Sequence, residues 1–336
     1  MATLMLTTIV ESRPLSAPFR IAGHVFDCTD AIVVTLDDGS HAGRGEAAGV
    51  YYLDDDVPHM LAALEGARAA IEAGPTRAQL REILPAGGAR NAVDCALWEL
   101  EARRTGRPVW SLAGLAAPRP LVTTFTVSAD DPDRMAARAI AYDHARSIKI
   151  KLTGDLPLDI ARVEAIRAAR PDAWLGVDAN QGFAIGDLDA LVAAMVESNV
   201  SLIEQPLARG READLDGYRS PIPIAADESA LTLADVPGLV GRFDIVNIKL
   251  DKCGGLTEGL MIAAAARAAG LGVMVGNMVC SSLAMAPGFV LGQICDIADL
   301  DGPIFLKQDH VPGIAYRDGM AWCDDSVWGG AAPAPA

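Results

Sequence analysis

Short apolar runs and longer amphipathic stretches alternate along most of the chain, and the change of period between them predicts its elements. Residues 3–12 and 25–36 (VFDCTDAIVVTL) read as strands, DDGS at 37–40 as a turn, and residues 43–50 as a third strand. Helical periodicity follows at 59–72, 76–84 and 89–105, and in the last of these Ala92, Cys95, Ala96 and Leu100 share one face. Three strands followed by three helices predict an α+β domain over residues 1–118, ended by a linker at Pro118 and Pro120. From residue 121 the pattern becomes an alternation. Strands are expected at 121–127, 147–152, 173–177, 200–204, 223–226, 244–249, 272–275 and 294–298. Helices are expected between them, at about 131–145, 157–170, 186–197, 211–217, 230–238, 256–269 and 281–289. Such a series predicts an α/β domain over 119–305, a parallel sheet closed into a barrel. It is a modified TIM barrel, (β/α)7β, because the last strand runs into DLDGP instead of an eighth helix. Residues 306–330 have turn and strand character and are expected to run back to the first domain; the low-complexity tail, 331–336, is expected to be disordered.

Composition narrows the classes open to such a chain. With 336 residues, 51% of them hydrophobic, there is material for a sizeable core. A net charge of -16 argues against nucleic acid as a partner, since phosphates call for a basic surface. The six cysteines share no short metal-ligand or redox spacing and read as the reduced, buried thiols of a cytoplasmic protein. No segment has the length and purity of a membrane span, so no membrane partner is expected. The opening MATLMLTTIV lacks the basic start and long apolar stretch of a secretion signal and reads as a strand.

Charged residues recur at the ends of the apolar runs, and they carry the chemistry. The series is SIKIKL with Lys149 and Lys151, LGVDAN with Asp178, SLIEQP with Glu204, IAADES with Asp227 and DIVNIKL with Lys249. The gaps from Lys151 onward are 27, 26, 23 and 22 residues, each the length of one strand, one helix and two loops. In a parallel barrel these residues share the mouth at the carboxyl ends of the strands. Three carboxylates without a nearby histidine or thiol suit a hard divalent ion, magnesium first and manganese second. Asn180 and Glu228 stand beside these acids and are candidates for hydrogen bonding around them. A plainer account makes strand-end acids solvated loop starts, but three in register on successive strands weaken it.

Lys149 and Lys151 are two apart on one strand and share a face, while Lys249 lies on the sixth strand, across the barrel. A carboxylate substrate on the metal would lie between two amines. One lysine could take a proton from the α-carbon and the other return one on the opposite face, as in a two-base racemase or epimerase. The metal would stabilise the enediolate. Alternatively these lysines only neutralise the acids. Lys252, beyond the strand in DKCGG, reads as a surface or loop residue.

The ordered set KxK at 149–151, DxN at 178–180, EQP at 204–206, DES at 227–229 and NIK at 247–249 resembles the enolase superfamily in its muconate-lactonizing subgroup. So does NAVDCALWELEARRTGRPVWSLAG at 91–114, and the resemblance covers nearly the whole chain. It implies a capping domain over a modified (β/α)7β barrel, with magnesium on Asp178, Glu204 and Asp227. It also implies Lys151 and Lys249 as the acid/base pair, and Lys149 as an auxiliary that polarises the carboxylate or lowers the pKa of Lys151. At the eighth strand, DIADLDGP puts Asp299 and Asp301 on one face. This resembles the DxD motif of dipeptide epimerases, whose pair binds the substrate's α-ammonium group; simple turn chemistry is the plainer account of Asp-Gly-Pro. The resemblance implies epimerisation of a dipeptide at its C-terminal α-carbon through an enediolate. L-Ala-D/L-Glu is the prototype substrate and peptidoglycan peptide metabolism the setting. Relatives acting on that substrate often meet the glutamate side chain with a basic residue from a capping-domain loop. PFRIAGHVF offers Arg20 and His24 here, with the loop position falling near His24, a weaker carboxylate partner. Homo-oligomers, dimers or octamers, are common for this architecture, and the sequence leaves the state open.

Other reactions on this scaffold, cycloisomerisation or o-succinylbenzoate synthesis, also use magnesium and lysines. Their substrates carry no ammonium group, so the Asp299/Asp301 pair separates them. Sugar-acid dehydration resembles members with a histidine near the seventh strand, where this chain has Asn277 and Met278. The histidines, His24, His41, His59, His144 and His310, are expected to form no metal cluster. A non-catalytic peptide-binding barrel would need no opposed Lys151 and Lys249.

Overall fold

The computed structural model describes residues 3–21 and 24–330; the tail at 331–336 lies outside the described residues. The chain begins with an antiparallel sheet of β1 (Met5–Ile21), β2 (His24–Asp37) and β3 (Ala42–Ala47), in that order. β1 runs on to Ile21 instead of ending near residue 12, with a register shift between Pro14 and Phe19. As the edge strand it tolerates Pro14 and Pro18, because no neighbour needs the missing N–H groups. Three helices follow, α1 (Val57–Glu72), α2 (Arg77–Ile83) and α3 (Gly88–Thr105). Asp56 caps α1 by accepting from the His59 N–H, and Thr76 and Gln79 form a capping box on α2.

α3 packs on β3 at unusually short range. A Cβ built on Gly43 or Gly45 would lie 2.1 Å from the Ala96 or Ala92 carbonyl oxygen, so only glycine lets the helix come this close. The face made by Ala92, Cys95, Ala96 and Leu100 is buried, as the periodicity predicts, and so is nearly all the rest of α3, because its far side packs on the second half of the chain. α4 (Val109–Leu112) and β4 (Leu121–Val122) lead into that half.

The strands β5 (Thr124–Val127), β6 (Ser147–Lys151), β7 (Trp174–Asp178), β8 (Leu202–Glu204), β9 (Ile224–Ala226), β10 (Ile245–Ile248), β11 (Gly272–Val275) and β12 (Ile297–Ala298) form one parallel sheet in chain order. A parallel bridge between Thr123 and Ala298 closes it into a barrel. The intervening helices are α5 (Pro132–Ala141), α6 (Leu156–Ala169), α7 (Ile185–Glu197), α8 (Val236–Leu239), α9 (Leu250–Cys253), α10 (Leu256–Ala268) and α11 (Ser282–Gly292). The helix expected at 211–217 is only a 3-10 turn at Glu212–Leu215, between Gly210 and Gly217. The one expected at 230–238 is a 3-10 turn at Leu233–Asp235 that passes into the single turn of α8, where Pro237 and Gly238 allow no more.

Past the barrel, β13 (Ala315–Arg317) pairs with β14 (Met320–Trp322), which pairs with β4, while Leu306 bridges Leu15 and Trp328 donates to the Arg44 carbonyl oxygen. Buried polar contacts join the two halves. Arg90 of α3 bonds Glu258 of α10 at 2.7 Å, and Asp94 of α3 accepts from the Thr257 N–H and hydroxyl. Asp251 of α9 accepts from the Ala48 and Gly49 N–H groups, and Glu46 of β3 accepts from Ser281. No described helix is long and apolar enough to cross a membrane.

Candidate active site

In-register pairing brings three charged residues to one level. Lys151 stands opposite Asp178 and Asp178 opposite Glu204, at the carboxyl ends of β6, β7 and β8. Asp227 follows β9 and Lys249 follows β10 directly. Asp178, Glu204 and Asp227 are fully buried, and each offers an oxygen within 4.8 Å of the others'. β6 and β10 are four steps apart in an eight-stranded closed sheet, so Lys151 and Lys249 stand on opposite walls, with the strands of the three acids between them on one side.

Each lysine pairs with an acid. Lys151 Nζ is 2.6 Å from Asp178 Oδ2, and Lys249 Nζ is 2.7 Å from Asp227 Oδ2. Lys149 Nζ lies 2.8 Å from Glu204 Oε2, 3.1 Å from Asp178 Oδ2 and 2.8 Å from Asp299 Oδ2. Asp299 is bonded to the Thr124 hydroxyl as well. Asp301 accepts from the Thr126 N–H at 2.6 Å and, among the described residues, forms no ion pair with a lysine. The two aspartates therefore share a face but not a role, since Asp299 is tied to Lys149 and Asp301 is not.

Lys252 does not lie on the surface, contrary to its reading as a loop residue. One turn of α9 swings it back beneath Asp227, where it is 2% exposed. Its ammonium group donates to Asp227 Oδ1 at 2.5 Å, to the Asp227 carbonyl oxygen at 2.6 Å and to that of Asn247 at 3.1 Å. The glycines at 254 and 255 suggest a loop, but the helical turn just before them sets the direction of this side chain. Two more residues support the acids without having been singled out. Asn247 donates to Glu204 Oε1 at 2.9 Å, and the Gln205 amide oxygen accepts from the Asp227 and Ser229 N–H groups. The signal for Asn247 was a polar residue two before Lys249 in an apolar strand.

Burial pushes the acids up, and the lysines decide which come back down. Lys151 and Lys149 outweigh burial at Asp178 and hold its carboxyl at about 2; Lys249 and Lys252 hold Asp227 well below the usual range. Burial and the Asp178 charge push Glu204 up to about 7, and burial with Asp227 and Asp178 pushes Glu228 up to about 8. Asp301 is pushed up to about 7 by burial and by Asp299. Burial disfavours the Lys149 and Lys249 ammonium groups, but Asp299 at the first and Asp227 at the second raise them above the ordinary lysine value.

The residues fit a divalent cation. The donor set at Asp178, Glu204 and Asp227 is all oxygen. Glu204 Oε2 is buried without an aligned hydrogen bond despite the nearby Lys149, and Asn180 Oδ1 and Glu228 Oε2 are buried without one too. Six buried carboxylates (Asp178, Glu204, Asp227, Glu228, Asp299, Asp301) face four buried ammonium groups (Lys149, Lys151, Lys249, Lys252), so full ionisation of the acids would leave two negative charges for a cation to offset. A second group of possible ligand type, Glu11, Glu46 and His310, also falls within 4.8 Å, so one histidine does join acids; there Arg13 pairs with Glu11 and Ser281 occupies Glu46.

A cavity of about 390 Å³ opens above the acids, lined by Lys149, Lys151, Asn180, Lys249, Asp299 and Asp301 from the barrel. Its other wall comes from the first domain and includes Phe19, Ile21, Phe26, Tyr51 and Tyr52. Arg20 and His24 are not among the lining residues. Phe19 and Ile21 turn inward, so strand alternation sends Arg20 between them out to solvent. His24 is exposed at the hairpin end, its ring 4.8 Å from that of Tyr51.

Comparison with known proteins agrees with this architecture. Residues 4–114 match the mandelate racemase / muconate lactonizing enzyme N-terminal domain, and residues 133–320 match the enolase C-terminal domain-like family. The chain is 39% identical over 309 residues to the L-Ala-D/L-Glu epimerase of Escherichia coli (strain K12), covering 92% of this chain and 96% of that one. It is 42% identical over 254 residues to an N-acetyl-D-glutamate racemase of a Pseudoalteromonas species, covering 75% and 80%. Among solved structures, an enolase family member from Agrobacterium tumefaciens with homology to dipeptide epimerases, with bound sodium and L-Ala-L-Glu, superposes with a TM-score of 0.93 at 38% identity, covering 97% of this chain and 100% of that one.

Proposed function

Because this chain belongs to the enolase superfamily, in its mandelate racemase / muconate lactonizing enzyme subgroup, we propose that it is an epimerase acting on dipeptides at the α-carbon of the C-terminal residue. The observation that carries this reading is the pair of lysines on opposite walls of one cavity, Lys151 and Lys249, with three carboxylates between them. Proton transfer on both faces of a carbon requires two such groups.

Asp178, Glu204 and Asp227 would hold the metal, magnesium or else manganese. A divalent cation there supplies positive charge that binds a substrate carboxylate and offsets the charge that develops on it. Lys151 Nζ takes the α-proton from one face, Lys249 Nζ delivers a proton to the other, and the roles exchange in the reverse direction, through an enediolate. Lys149, between Glu204 and Asp299, keeps a fixed positive charge beside the carboxylate. Asp301, with no lysine of its own, is the stronger candidate for the substrate ammonium, and Asp299 acts beside it while oriented by Lys149 and Thr124. Asn180 and Glu228 offer buried acceptor oxygens around the metal ligands.

L-Ala-D/L-Glu, the substrate named for the Escherichia coli relative, is the first dipeptide to test. Its side-chain carboxylate would need a cationic partner on the cap side. Arg20 and His24 could serve only if they turned into a cavity that neither lines.

Incubation of purified protein with magnesium and L,L-dipeptides in deuterated water should yield the L,D-epimer carrying deuterium at the C-terminal α-carbon. Lys151→Ala and Lys249→Ala should each lower epimerisation by at least about a thousandfold, within the range for lost acid/base groups, with the folded state kept by circular dichroism. Substantial inversion by either variant would defeat the two-base reading.

A further inference from the structure

The part of the cavity that the proton-transfer chemistry leaves free has an apolar wall. A substrate carbon held between Lys151 and Lys249 would turn its carboxylate to the floor at Asp178, Glu204 and Asp227 and its amide nitrogen toward Asp301. One direction remains for the side chain, toward the wall supplied by the first domain and the loops beside it. Phe19, Ile21, Phe26, Tyr51, Val279 and Phe305 line that wall and pack together as one cluster, separate from the main core. Phe19, Ile21 and Phe305 are buried, while Phe26, Tyr51 and Val279 are only half-buried, so apolar surface is left facing the cavity.

The charged groups on the cap side of the cavity are all acids. They are Asp30, Asp55 and Asp56, and among the described residues no lysine, arginine or histidine of the first domain lines it. Asp55 already accepts from the Gly88 N–H and contacts His59, and Asp56 caps α1. They do not form a free cation-binding pair, and they repel a carboxylate. A glutamate side chain entering here would lose water and gain no cation. A branched aliphatic or aromatic side chain would bury its surface against six apolar residues.

We propose that the residue epimerised by this protein carries an apolar side chain, aliphatic or aromatic, seated on Phe26 and Tyr51. The inference rests on the dipeptide-epimerase reading above, and its test separates the two. Magnesium-loaded protein is given L-Ala-L-Leu, L-Ala-L-Phe, L-Ala-L-Glu and L-Ala-L-Lys, and kcat/KM for α-deuterium incorporation is read by mass spectrometry. The leucine or phenylalanine dipeptide should exceed the glutamate dipeptide by about tenfold or more, the scale on which pocket contacts discriminate. Phe26→Arg should reverse that order, and Phe26→Ala should lower the leucine and phenylalanine rates without raising the glutamate one. Wild-type turnover of the glutamate or lysine dipeptide at or above that of the apolar pair overturns the side-chain inference and leaves the epimerase reading standing. Absence of exchange with all four overturns the epimerase reading, and this inference with it.

Discussion

Lys252 does not line the cavity, yet two of its hydrogen bonds hold the backbone and carboxylate of Asp227 and a third holds the Asn247 carbonyl oxygen. Replacing it with methionine keeps the bulk of the stem and takes one donor from a buried Asp227 carboxylate oxygen and from two buried carbonyl oxygens. Lys252→Met should therefore lower unfolding free energy by about 3–5 kcal/mol, the scale for breaking a buried ion pair. The measurement is urea unfolding with excess chelator, so that metal binding does not enter. A loss under about 1 kcal/mol, the value of an exposed pair, would mean that water takes the lysine's place. This residue also marks where sequence reading stops. Asp178, Glu204, Asp227, Lys149, Lys151 and Lys249 could be placed at strand ends because strands have a period of two and each ends an apolar run. Lys252 faces partners 25 and 5 residues away through a single helical turn that leaves no periodic trace. Arg20 is a candidate by resemblance to relatives with a basic capping-domain loop residue; in the structure it lies on β1, exposed between the buried Phe19 and Ile21.

Among the elements, α3 is packed on two sides, since β3 lies on one and α9 and α10 on the other. Its distance from β3 is set by Gly43 and Gly45. Gly45→Ala would put a methyl group 2.1 Å from the Ala92 carbonyl oxygen, a backbone atom that can yield only if the helix moves. The variant should be destabilised by at least about 2 kcal/mol, within the range for overpacked cores, and thermal unfolding would register it. An unchanged midpoint would mean that the helix shifts freely. The helix itself was legible from Ala92, Cys95, Ala96 and Leu100, and the barrel from the strand–helix alternation. The same alternation over-extended the units after β8 and β9, where glycine and proline cut the helices to single turns. It also held no hint that β14 would pair with β4, because such pairing joins segments about 200 residues apart.

At the scale of the whole molecule, the cap and the barrel meet across buried carboxylates held mainly by N–H and hydroxyl donors. Burial pushes the Asp94 carboxyl up to about 6, despite its bonds to Thr257, and the Asp251 carboxyl up to about 7, despite its bonds to Ala48 and Gly49; Asp55 and Glu46 add to the rise at Asp251. A carboxyl raised in the folded state binds its proton more tightly there than in the unfolded chain. Its contribution is full below pH 4 and is lost as pH climbs through 6 to 7. Asp251→Asn keeps an acceptor for both N–H groups and cannot ionise, so its thermal midpoint should gain on the wild type from pH 5 to about pH 7 and level off above it, at constant magnesium. A difference that stays flat with pH would show that Asp251 does not titrate in this window. The cavity carries a longer-range consequence. Every group assigned to proton transfer or metal binding comes from the barrel, while most of the wall that would sort side chains comes from the hairpin of β1 and β2 and the turn at Tyr51. Lineages could therefore drift in diet by rewriting that hairpin and turn while the barrel is inherited unchanged, and a laboratory library confined to residues 15–30 and 48–58 should find new specificities without having to rediscover catalysis.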